Sequence, residues 1–372
     1  MPDLTPKAHY LMIGGFLGAG KTTAILKLAE QLRDRGLRVG LITNDQSHGL
    51  VDTALLGSHG FAVEEITGGC FCCRFNSLVD AAEKLSTETR PDVFIAEPVG
   101  SCTDLKATVD YPLRRLYGND FTIAPLTVMV DPIRAARILG LQTGQSFSKK
   151  VVYIYRKQLE EAEIIVVNKS DLVSPEQLTR LTAEIQVRFP AAQIITASAR
   201  DGTGITPWLE LMLDAAPKMQ GSMQVDYELY AEGEALLGWL NCTAQLSSDE
   251  SVDGNAMLIS IAERIQNALA VEQVEVAHLK LTLSPDEGND LAVANLTRSD
   301  GRPELSHSLQ EPLETGELIL NLRAEGEPEM MWARVSEILQ SVAMEYSARF
   351  EVEHLEAFRP GKPTPTHRLA GV

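Results

Sequence analysis

Three of the five cysteines in this chain stand within four positions of one another. Cys70, Cys72 and Cys73 follow the pair Gly68-Gly69, which permits backbone angles that other residues avoid. Thiolates bind soft or borderline metal ions such as Zn²⁺. Two alternatives are three small buried hydrophobic side chains and a redox pair, because the first and last of these cysteines have C-x-x-C spacing. The crowding after two glycines favours a metal site over both.

The direction of each thiol limits how such a metal site can form. In an extended strand the first two thiols would point one way and that of Cys73 the other. All three can face one ion only if the chain turns at Cys72-Cys73, and a helix that begins near Arg74 would provide this turn. The N-terminal dipole of that helix and the Arg74 guanidinium are expected to lower the pKa of the thiols. The sequence leaves open whether His48 or Cys102 joins the site, and packing is the preferred role for Cys102.

A glycine-rich stretch, GGFLGAGKTT, follows the apolar run YLMI near the start of the chain. It fits the pattern G-x-x-x-x-G-K-[ST], in which backbone N–H groups wrap phosphates where a strand runs into a helix N-terminus. We expect Lys21 to neutralise the β- and γ-phosphates and Thr22 to give its hydroxyl to Mg²⁺. Thr23 lies where it could reach the α-phosphate. The other phosphate-binding residues of the loop are Gly15, Gly18, Ala19 and Gly20.

A second pattern, N-K-x-D, follows the apolar run EIIVVN and predicts which base binds. At the carboxyl end of a strand, the Asp171 carboxylate could accept hydrogen bonds from guanine N1 and N2, whereas adenine offers no such pair of donors. Further along, a Ser-Ala pair follows the run AQIITA, and its backbone N–H groups could meet guanine O6. The residues assigned to the guanine site are Asn168, Lys169, Asp171, Ser198 and Ala199.

Two further strand ends supply candidate residues around Mg²⁺ and the terminal phosphate. The run DVFIA ends in EPVG, where the Glu97 carboxylate could organise magnesium-bound water and the Gly100 N–H could sense the γ-phosphate. The loop after RVGLIT is the predicted switch and carries Asp45, which we place on or near Mg²⁺. Lys21, Asp45 and Glu97 are thus the candidate catalytic residues, and Thr22 and Asp45 are the candidate magnesium ligands.

These residues require a sheet that brings several strand ends together. From residue 9, short apolar runs alternate with amphipathic segments of helical period over residues 22–35, 75–86, 149–161 and 175–189. Near-continuous apolar strands between helices predict a mostly parallel sheet covered on both faces, the α/β architecture of a P-loop GTPase domain. The pattern ends near residue 214, and we assign the domain to residues 1–218.

The rest of the chain predicts a second, smaller domain. Residues 214–223 mix proline, glycine and small residues and have the composition of a linker. Beyond it, candidate strands and helices with hairpin-like spacing over residues 224–358 predict an α+β domain of ferredoxin-like type. The proline-rich segment 359–372 is predicted to be disordered.

Length and composition agree with a two-domain protein and limit its partners. A chain of 372 residues exceeds what one hydrophobic core usually serves. With 51 acidic against 33 basic residues the net charge is −18, which argues against nucleic acid and anionic membranes as partners. The N-terminal stretch has the features of neither a signal peptide nor a membrane span, and an odd number of cysteines argues against a disulfide framework. We therefore expect a cytoplasmic protein in a reducing compartment.

The stretches GGFLGAGKTT, GGCFCC, EPVG and NKSD, in this order, resemble the CobW family of P-loop GTPases, which is related to the nickel-insertion GTPases UreG and HypB. The resemblance covers residues 9 to about 215. It implies a GTP-dependent metallochaperone whose ligands are GTP or GDP, Mg²⁺, and Zn²⁺ or Co²⁺. The three clustered cysteines would bind the transition metal, and the nucleotide cycle would control its capture and its transfer to a client metalloprotein or a cobalamin-pathway protein.

The chain departs from that family pattern in several places, which include an unusual His48 and the absence of the His-rich stretch seen in many zinc-linked members. Many members have Asn-Glu-Phe-Gly in the switch, whereas this chain has Asn44-Asp45-Gln46-Ser47. The sequence of this chain is closer to the Thr-Asn-Asp of the nickel GTPases. The second domain lacks most motifs of the family's C-terminal domain, so the client cannot be carried over from the resemblance. A homodimer stays an open option.

Other functions stay open as well. One is a GTPase chaperone or switch for a cobalamin or corrinoid enzyme, in which the thiols hold only a structural ion. A small-molecule kinase is disfavoured because N-K-x-D has no purpose there. Three thiolates rather than four leave an open coordination position, which favours an exchangeable ion. We expect slow intrinsic GTP hydrolysis because no residue is clearly placed as an arginine finger.

Overall fold

The computed structural model describes residues 7–45, 51–214, 221–288 and 290–370. The strands of the first domain are β1 (Ala8–Gly15), β2 (Val39–Asn44), β3 (Ala62–Ile66), β4 (Val93–Glu97), β5 (Phe121–Ile123), β6 (Thr127–Val130), β7 (Ile164–Val167) and β8 (Gln193–Thr196). Its helices are α1 (Lys21–Asp34), α2 (Val51–Ser58), α3 (Phe75–Glu88), α4 (Tyr111–Tyr117), α5 (Pro132–Ile138), α6 (Lys149–Glu161), α7 (Pro175–Arg188) and α8 (Ile205–Asp214).

These strands form one parallel sheet in the order β3-β2-β4-β1-β6-β7-β8, and β5 pairs with the start of β1. Alternate residues of β1 serve the two faces, since Tyr10 and Met12 belong to one apolar cluster and Leu11 and Ile13 to another. Because both faces are covered, β2, β4, β6 and β7 are buried along their whole length. The predicted α/β architecture is confirmed.

The four helices predicted from periodicity correspond to α1, α3, α6 and α7, with ends within two residues of the prediction. Local signals explain this agreement. At α7, Pro175 occupies the first turn, where its missing N–H costs nothing, and Ser174 and Gln177 complete a capping box.

The second domain begins with α9 (Tyr227–Leu236) and continues with β9 (Gly238–Val252), α10 (Gly254–Val271), β10 (Glu275–Pro285), β11 (Ala292–Leu296), β12 (Glu304–His307), β13 (Leu313–Glu325), α11 (Pro328–Glu345) and β14 (Ala348–Phe358). Its sheet is antiparallel, in the order β12-β11-β10-β13-β9-β14. Strands β9, β10, β13 and β14 with helices α10 and α11 have the βαββαβ order of a ferredoxin-like fold, and β11 and β12 extend the sheet beyond β10. The predicted fold class is confirmed, and the exact domain boundaries stay predictions.

The segment 359–370, for which the sequence predicts disorder, instead lies against the first domain. The Thr366 N–H donates to the Cys72 carbonyl at 2.8 Å, and the Leu369 N–H donates to the Ala107 carbonyl at 2.9 Å. Prolines in this segment reduce the chain entropy that such ordering costs. The structure therefore corrects the prediction for these residues.

No helix in the described part of the chain is long and apolar enough to cross a membrane.

Candidate nucleotide and metal site

The phosphate loop joins β1 to α1, and its glycines have backbone angles that other residues rarely adopt. Gly15 has φ 131°, and a Cβ atom there would come within 2.3 Å of the Met129 carbonyl oxygen. Gly20 has φ 88° directly before Lys21, at which α1 begins. The loop thus brings a helix N-terminus and the Lys21 side chain to the end of β1, as phosphate binding requires.

Three side chains predicted to act at Mg²⁺ and the terminal phosphate meet at the end of β4. Thr22 Oγ1 lies 3.2 and 3.1 Å from the two Glu97 carboxylate oxygens, and Lys21 Nζ lies 3.7 Å from one of them. All three residues are buried. A hydroxyl and a carboxylate side by side, next to a buried ammonium, fit a magnesium-phosphate complex, because Mg²⁺ takes oxygen ligands and the ammonium balances phosphate charge.

Asp45, the other predicted magnesium ligand, directly follows β2 and pairs with an arginine of the second domain. Arg323 Nη2 lies 3.3 Å from each Asp45 carboxylate oxygen. Only 2% of Arg323 is exposed, so the removal of either partner would leave a poorly solvated charge. His48 and the rest of the loop 46–50 lie outside the described residues.

Gly100 lets the loop after β4 approach the phosphate loop closely. A Cβ atom at this position would lie 2.8 Å from Leu17 Cδ2. The Gly100 carbonyl accepts a hydrogen bond from Gln158 Nε2 of α6 at 2.9 Å, which anchors the loop to that helix. Its predicted contact with the γ-phosphate stays a prediction.

Asn168 joins the phosphate loop to the Ser-Ala loop. Its Nδ2 donates to the Ala19 carbonyl at 2.9 Å, and its Oδ1 accepts from the Ala199 N–H at 3.0 Å. The Ser198 N–H donates to the Thr203 carbonyl at 2.9 Å. Both N–H groups that the sequence assigns to guanine O6 thus have internal acceptors in this structure, and that contact stays a prediction.

Lys169 fixes the same region from the side of the phosphate loop. Its Nζ donates to the Gly18 carbonyl at 2.6 Å and to Asp131 Oδ2 at 3.0 Å. Burial alone would raise the pKa of Asp131, but the charges of Lys169, Arg134 and Arg298 hold it at about 2. Glu97 was selected because it directly follows the apolar run DVFIA. Asp131 directly follows the apolar run LTVMV, so the same reasoning could also have selected Asp131.

The carboxylate predicted to bind the base belongs to Asp171, on the loop after β7. Asp171 is partly exposed, and its Oδ2 lies 3.7 Å from Arg200 Nη1. Arg200 also pairs with Glu304 of the second domain. The second domain therefore reaches the base end of the candidate nucleotide site as well as the switch end.

The three clustered thiols lie within reach of a single ion. The Sγ–Sγ distances are 2.7 Å for Cys70–Cys72, 3.3 Å for Cys70–Cys73 and 3.7 Å for Cys72–Cys73. The chain turns as predicted, because the N–H groups of Cys73 and Arg74 both donate to the Cys70 carbonyl at 2.9 Å before α3 begins at Phe75. The three sulfur atoms are close enough together to share one ion, and three thiolates leave one coordination position open. Sulfur ligands of a tetrahedral zinc lie about 3.8 Å apart, so Cys70 and Cys72 would separate when the ion binds.

One side chain from the end of β2 positions the cysteine segment. Asn44 Nδ2 donates to the carbonyls of Ile66 and Gly69 at 2.9 and 2.8 Å, and its Oδ1 accepts from the Phe71 N–H at 2.8 Å. Asn44 is buried, so these bonds are shielded from water. The residue before the predicted magnesium ligand Asp45 therefore holds both flanks of Cys70.

Contacts among the thiols set their proton affinities. Hydrogen bonds from Cys102, Cys72 and Cys73 lower the pKa of Cys70 well below its usual value. Hydrogen bonding to Cys70 raises the pKa of Cys72, and it raises that of Cys73 to about 11. Arg74 is exposed, and neighbouring thiols rather than this cation set the pKa of Cys70. Metal binding would release the protons that the thiols hold.

A buried polar layer lies beneath the cluster. Cys102 is buried beside the Cys70 thiol and so adjoins the cluster, and its predicted packing role stays a prediction. Glu234 of α9 is buried and accepts a hydrogen bond from Ser101 Oγ at 2.6 Å. Burial, and then the nearby negative charge of Cys70, raise the pKa of Glu234. The sequence reasoning did not find Glu234, because no local pattern links α9 to the thiols.

The segment 359–370 covers the accessible side of the cluster. The Thr364 N–H donates to Cys73 Sγ at 3.2 Å, and Thr366 Oγ1 donates to the Cys73 carbonyl at 3.1 Å. These threonines alternate with prolines, which have no N–H, so the threonines supply the donors on this stretch. Cys73 is left half-buried, whereas Cys70 and Cys72 are buried.

The family model described as CobW/HypB/UreG, nucleotide-binding domain, matches residues 9–196. The match spans just over half of the chain, and the chain therefore belongs to this family of P-loop GTPases and metallochaperones.

Several characterised proteins are similar to the chain. The zinc chaperone YeiR of Escherichia coli is 32% identical over 166 residues, which are 44% of this chain and 47% of YeiR. The zinc-regulated GTPase metalloprotein activator 1 of Dictyostelium discoideum is 27% identical over 233 residues, which are 54% of this chain and 47% of that protein. The chain thus spans about half the length of these relatives.

Solved structures also match. The nickel complex of HypB from Helicobacter pylori is 18% identical with a TM-score of 0.41, and the match covers 56% of this chain and 86% of HypB. The Zn(II)-bound YjiA GTPase of E. coli is 14% identical with a TM-score of 0.40, and that match covers 90% of this chain and 99% of YjiA.

Proposed function

We propose that the chain binds GTP with Mg²⁺, hydrolyses it slowly, and uses this cycle to control one transition-metal ion held by Cys70, Cys72 and Cys73. The ion is cargo for a client metalloprotein. Zinc is the first candidate because similar proteins, YeiR and CobW among them, are named zinc chaperones, and cobalt is the second.

The position of Asn44 is the observation that carries this proposal. Its side chain bonds to the backbone on both sides of Cys70, and its own backbone continues into Asp45 and the predicted switch. A switch that orders on the γ-phosphate would therefore shift the loop that carries the thiols. Linkage then requires that metal and GTP change each other's affinity by the same factor.

The nucleotide half of the proposal assigns one role to each side chain. Lys21 binds the β- and γ-phosphates, Thr22 and Asp45 bind Mg²⁺, and Glu97 orients a magnesium-bound water and the Thr22 hydroxyl. When bound, Mg²⁺ neutralises charge that develops on the transferred phosphoryl group. Asp171 selects guanine by accepting from its N1 and N2.

The test combines metal analysis with chelator competition. Elemental mass spectrometry of the purified chain should find one Zn²⁺ or Co²⁺ per molecule after loading. Competition with a chromophoric chelator should give tighter binding with a non-hydrolysable GTP analogue than with GDP. A chain that binds no guanine nucleotide, or no transition metal with its cysteines reduced, would contradict the proposal.

A second candidate is a GTPase switch for a cobalamin or corrinoid enzyme, in which the ion is structural. The three-thiol cluster and the half-buried Cys73 favour an exchangeable ion over a structural one. The exchange rate of isotopically labelled zinc separates the two functions. Exchange within one nucleotide turnover supports delivery, and exchange much slower than turnover supports the structural ion.

A further inference from the structure

The sheet of the second domain has two chemically different faces. Strand alternation sends one set of side chains to α10 and α11, and this set is apolar: Leu240, Leu279, Leu281, Leu320 and Leu322. The alternate residues form a face with polar and cationic groups, which we call the inner face: Trp239, Asn241, His278, Lys280, Asn321 and Arg323. The simple pattern of one buried apolar face and one solvated face predicts that such a polar face is exposed.

The inner face is instead mostly buried. Exposure is 2% for Arg323 and Asn241, 5% for Asn321 and 9% for His278. His278 and Trp239 lie opposite Arg323 in the sheet register, and the Arg323 guanidinium lies over the Trp239 ring at 4.0 Å. Buried polar and cationic groups are costly unless something polar faces them.

The candidate nucleotide site is what faces them. Arg323 pairs with Asp45 at 3.3 Å, and Asn321 Oδ1 accepts from the Val51 N–H at 3.3 Å, so the inner face holds the described residues on both sides of loop 46–50. At the phosphate loop, a Cβ atom on Gly18 would lie 2.9 Å from the carbonyl of Ala277, the neighbour of His278.

Positive charge converges where the two domains meet. Burial first, and then the charges of Lys280, Arg323, Lys21 and Lys169, lower the pKa of His278. Cations from both domains thus surround one buried position of a chain whose net charge is −18. Lys21, Lys169 and Arg323 pair with Glu97, Asp131 and Asp45 in this structure, and a bound polyanion would be a further partner for the same cations.

We propose that the inner face forms the second half of the triphosphate site, with His278, Lys280 and Arg323 as nucleotide-binding residues. This inference rests on the proposed GTP function. Arg323 has a specific part in it, because Mg²⁺ would compete with Arg323 Nη2 for the Asp45 carboxylate. With Asp45 on Mg²⁺, Nη2 would be available to the γ-phosphate, which is absent from GDP, while Nη1 keeps its bonds to the Leu240 carbonyl and Asn241 Oδ1.

The experiment measures the affinity of the full chain for GDP and for a fluorescent, non-hydrolysable GTP analogue, both with Mg²⁺. The affinity for the GTP analogue should fall about tenfold in each of three variants, Arg323→Gln, Lys280→Gln and His278→Gln, which is the usual effect of losing a hydrogen bond to a charged group. The affinity for GDP should fall less in Arg323→Gln, and Arg323→Lys should recover part of the lost affinity. Arg349→Gln, at an exposed position of β14, is the matched control and should bind as wild type does.

Arg323 is buried, so circular dichroism must first show that its variants fold. If they do not fold, the inference is tested with Lys280→Gln, because Lys280 is only partly buried and its replacement should disturb folding less. A folded Lys280→Gln variant with wild-type affinity for both nucleotides would overturn the inference. Equal losses for GDP and the GTP analogue in folded Arg323→Gln would overturn the part assigned to Arg323. A wild-type chain that binds no GTP would overturn the proposed function as well, whereas unchanged variants of a GTP-binding wild type overturn the inference alone.

Discussion

Asn44 Oδ1 accepts a hydrogen bond from the Phe71 N–H at 2.8 Å, which joins the end of β2 directly to the middle of the cysteine segment. The bond between Asn44 Nδ2 and the Gly69 carbonyl completes a bracket around Cys70. The candidate nucleotide and metal sites therefore share a side chain and not only an edge of the sheet.

The bracket predicts that Asn44→Ala uncouples the two sites. The variant loses two buried hydrogen bonds and one partly buried one, so we expect a loss of about 1–3 kcal/mol in unfolding free energy. GTP-analogue and GDP binding should survive, while the difference in zinc affinity between the two nucleotide states should shrink. Isothermal titration in both states measures this difference. Asn76→Ala, at an exposed position of α3, is the control, and a full wild-type difference in Asn44→Ala would refute the bracket as the link.

Base selection depends on Asp171. Asp171→Asn should reduce GTP affinity about tenfold or more, because a charge-assisted pair of hydrogen bonds is lost, and should shift preference towards xanthosine triphosphate. Competition between the two nucleotides for one fluorescent analogue measures the shift. Asp201→Asn, on the exposed loop beyond Ser198, is the control. Wild-type GTP preference in Asp171→Asn would mean that guanine binds elsewhere.

Lys21 supplies phosphate charge neutralisation from the first turn of α1. Lys21→Ala should therefore abolish GTP hydrolysis, measured as phosphate release. Lys27→Ala removes a lysine from the solvent side of the same helix and should leave hydrolysis unchanged. Hydrolysis at the wild-type rate in Lys21→Ala would show that the loop is not the catalytic phosphate site.

Sequence reasoning worked best where one local pattern specifies an element and its end. The runs EIIVVN and DVFIA predict buried strands, and parallel order then brings Asn168 and Glu97 to the same edge. The pairing of Arg323 with Asp45 could not be found this way, because those residues are 278 positions apart and meet only when two domains pack. The sequence places Asn44 only in the switch, because its hydrogen-bond partners lie at the end of β3 and on the loop after it.

The prediction of disorder for the segment 359–370 was wrong for a different reason. A proline-rich composition is typical of disorder, and composition does not show whether matching hydrogen-bond acceptors exist elsewhere in the fold. Here the acceptors are the Cys73 thiol and the carbonyls of Cys72, Cys73 and Ala107.

The Thr364 contact predicts a specific change in thiol access. Thr364→Pro removes the N–H that donates to Cys73 Sγ, whereas Thr364→Ala keeps it. In the metal-free chain, Thr364→Pro should speed alkylation of Cys73 by iodoacetamide, and Thr364→Ala should not. Peptide mass spectrometry at timed quenches measures the rate. Equal alkylation rates in Thr364→Pro and wild type would show that the segment does not shield the thiol.

Coupling between nucleotide and metal is the central claim, and metal affinity in three nucleotide states tests it most directly. Zinc affinity of the full chain should be measured by chelator competition without nucleotide, with GDP and with a non-hydrolysable GTP analogue, each with Mg²⁺. Cys72→Ser should remove the metal and the coupling while GDP binding stays nearly unchanged. The account predicts one ion per wild-type chain, bound most tightly with the GTP analogue. Identical zinc affinity in all three states would contradict it, because the ion would then be structural.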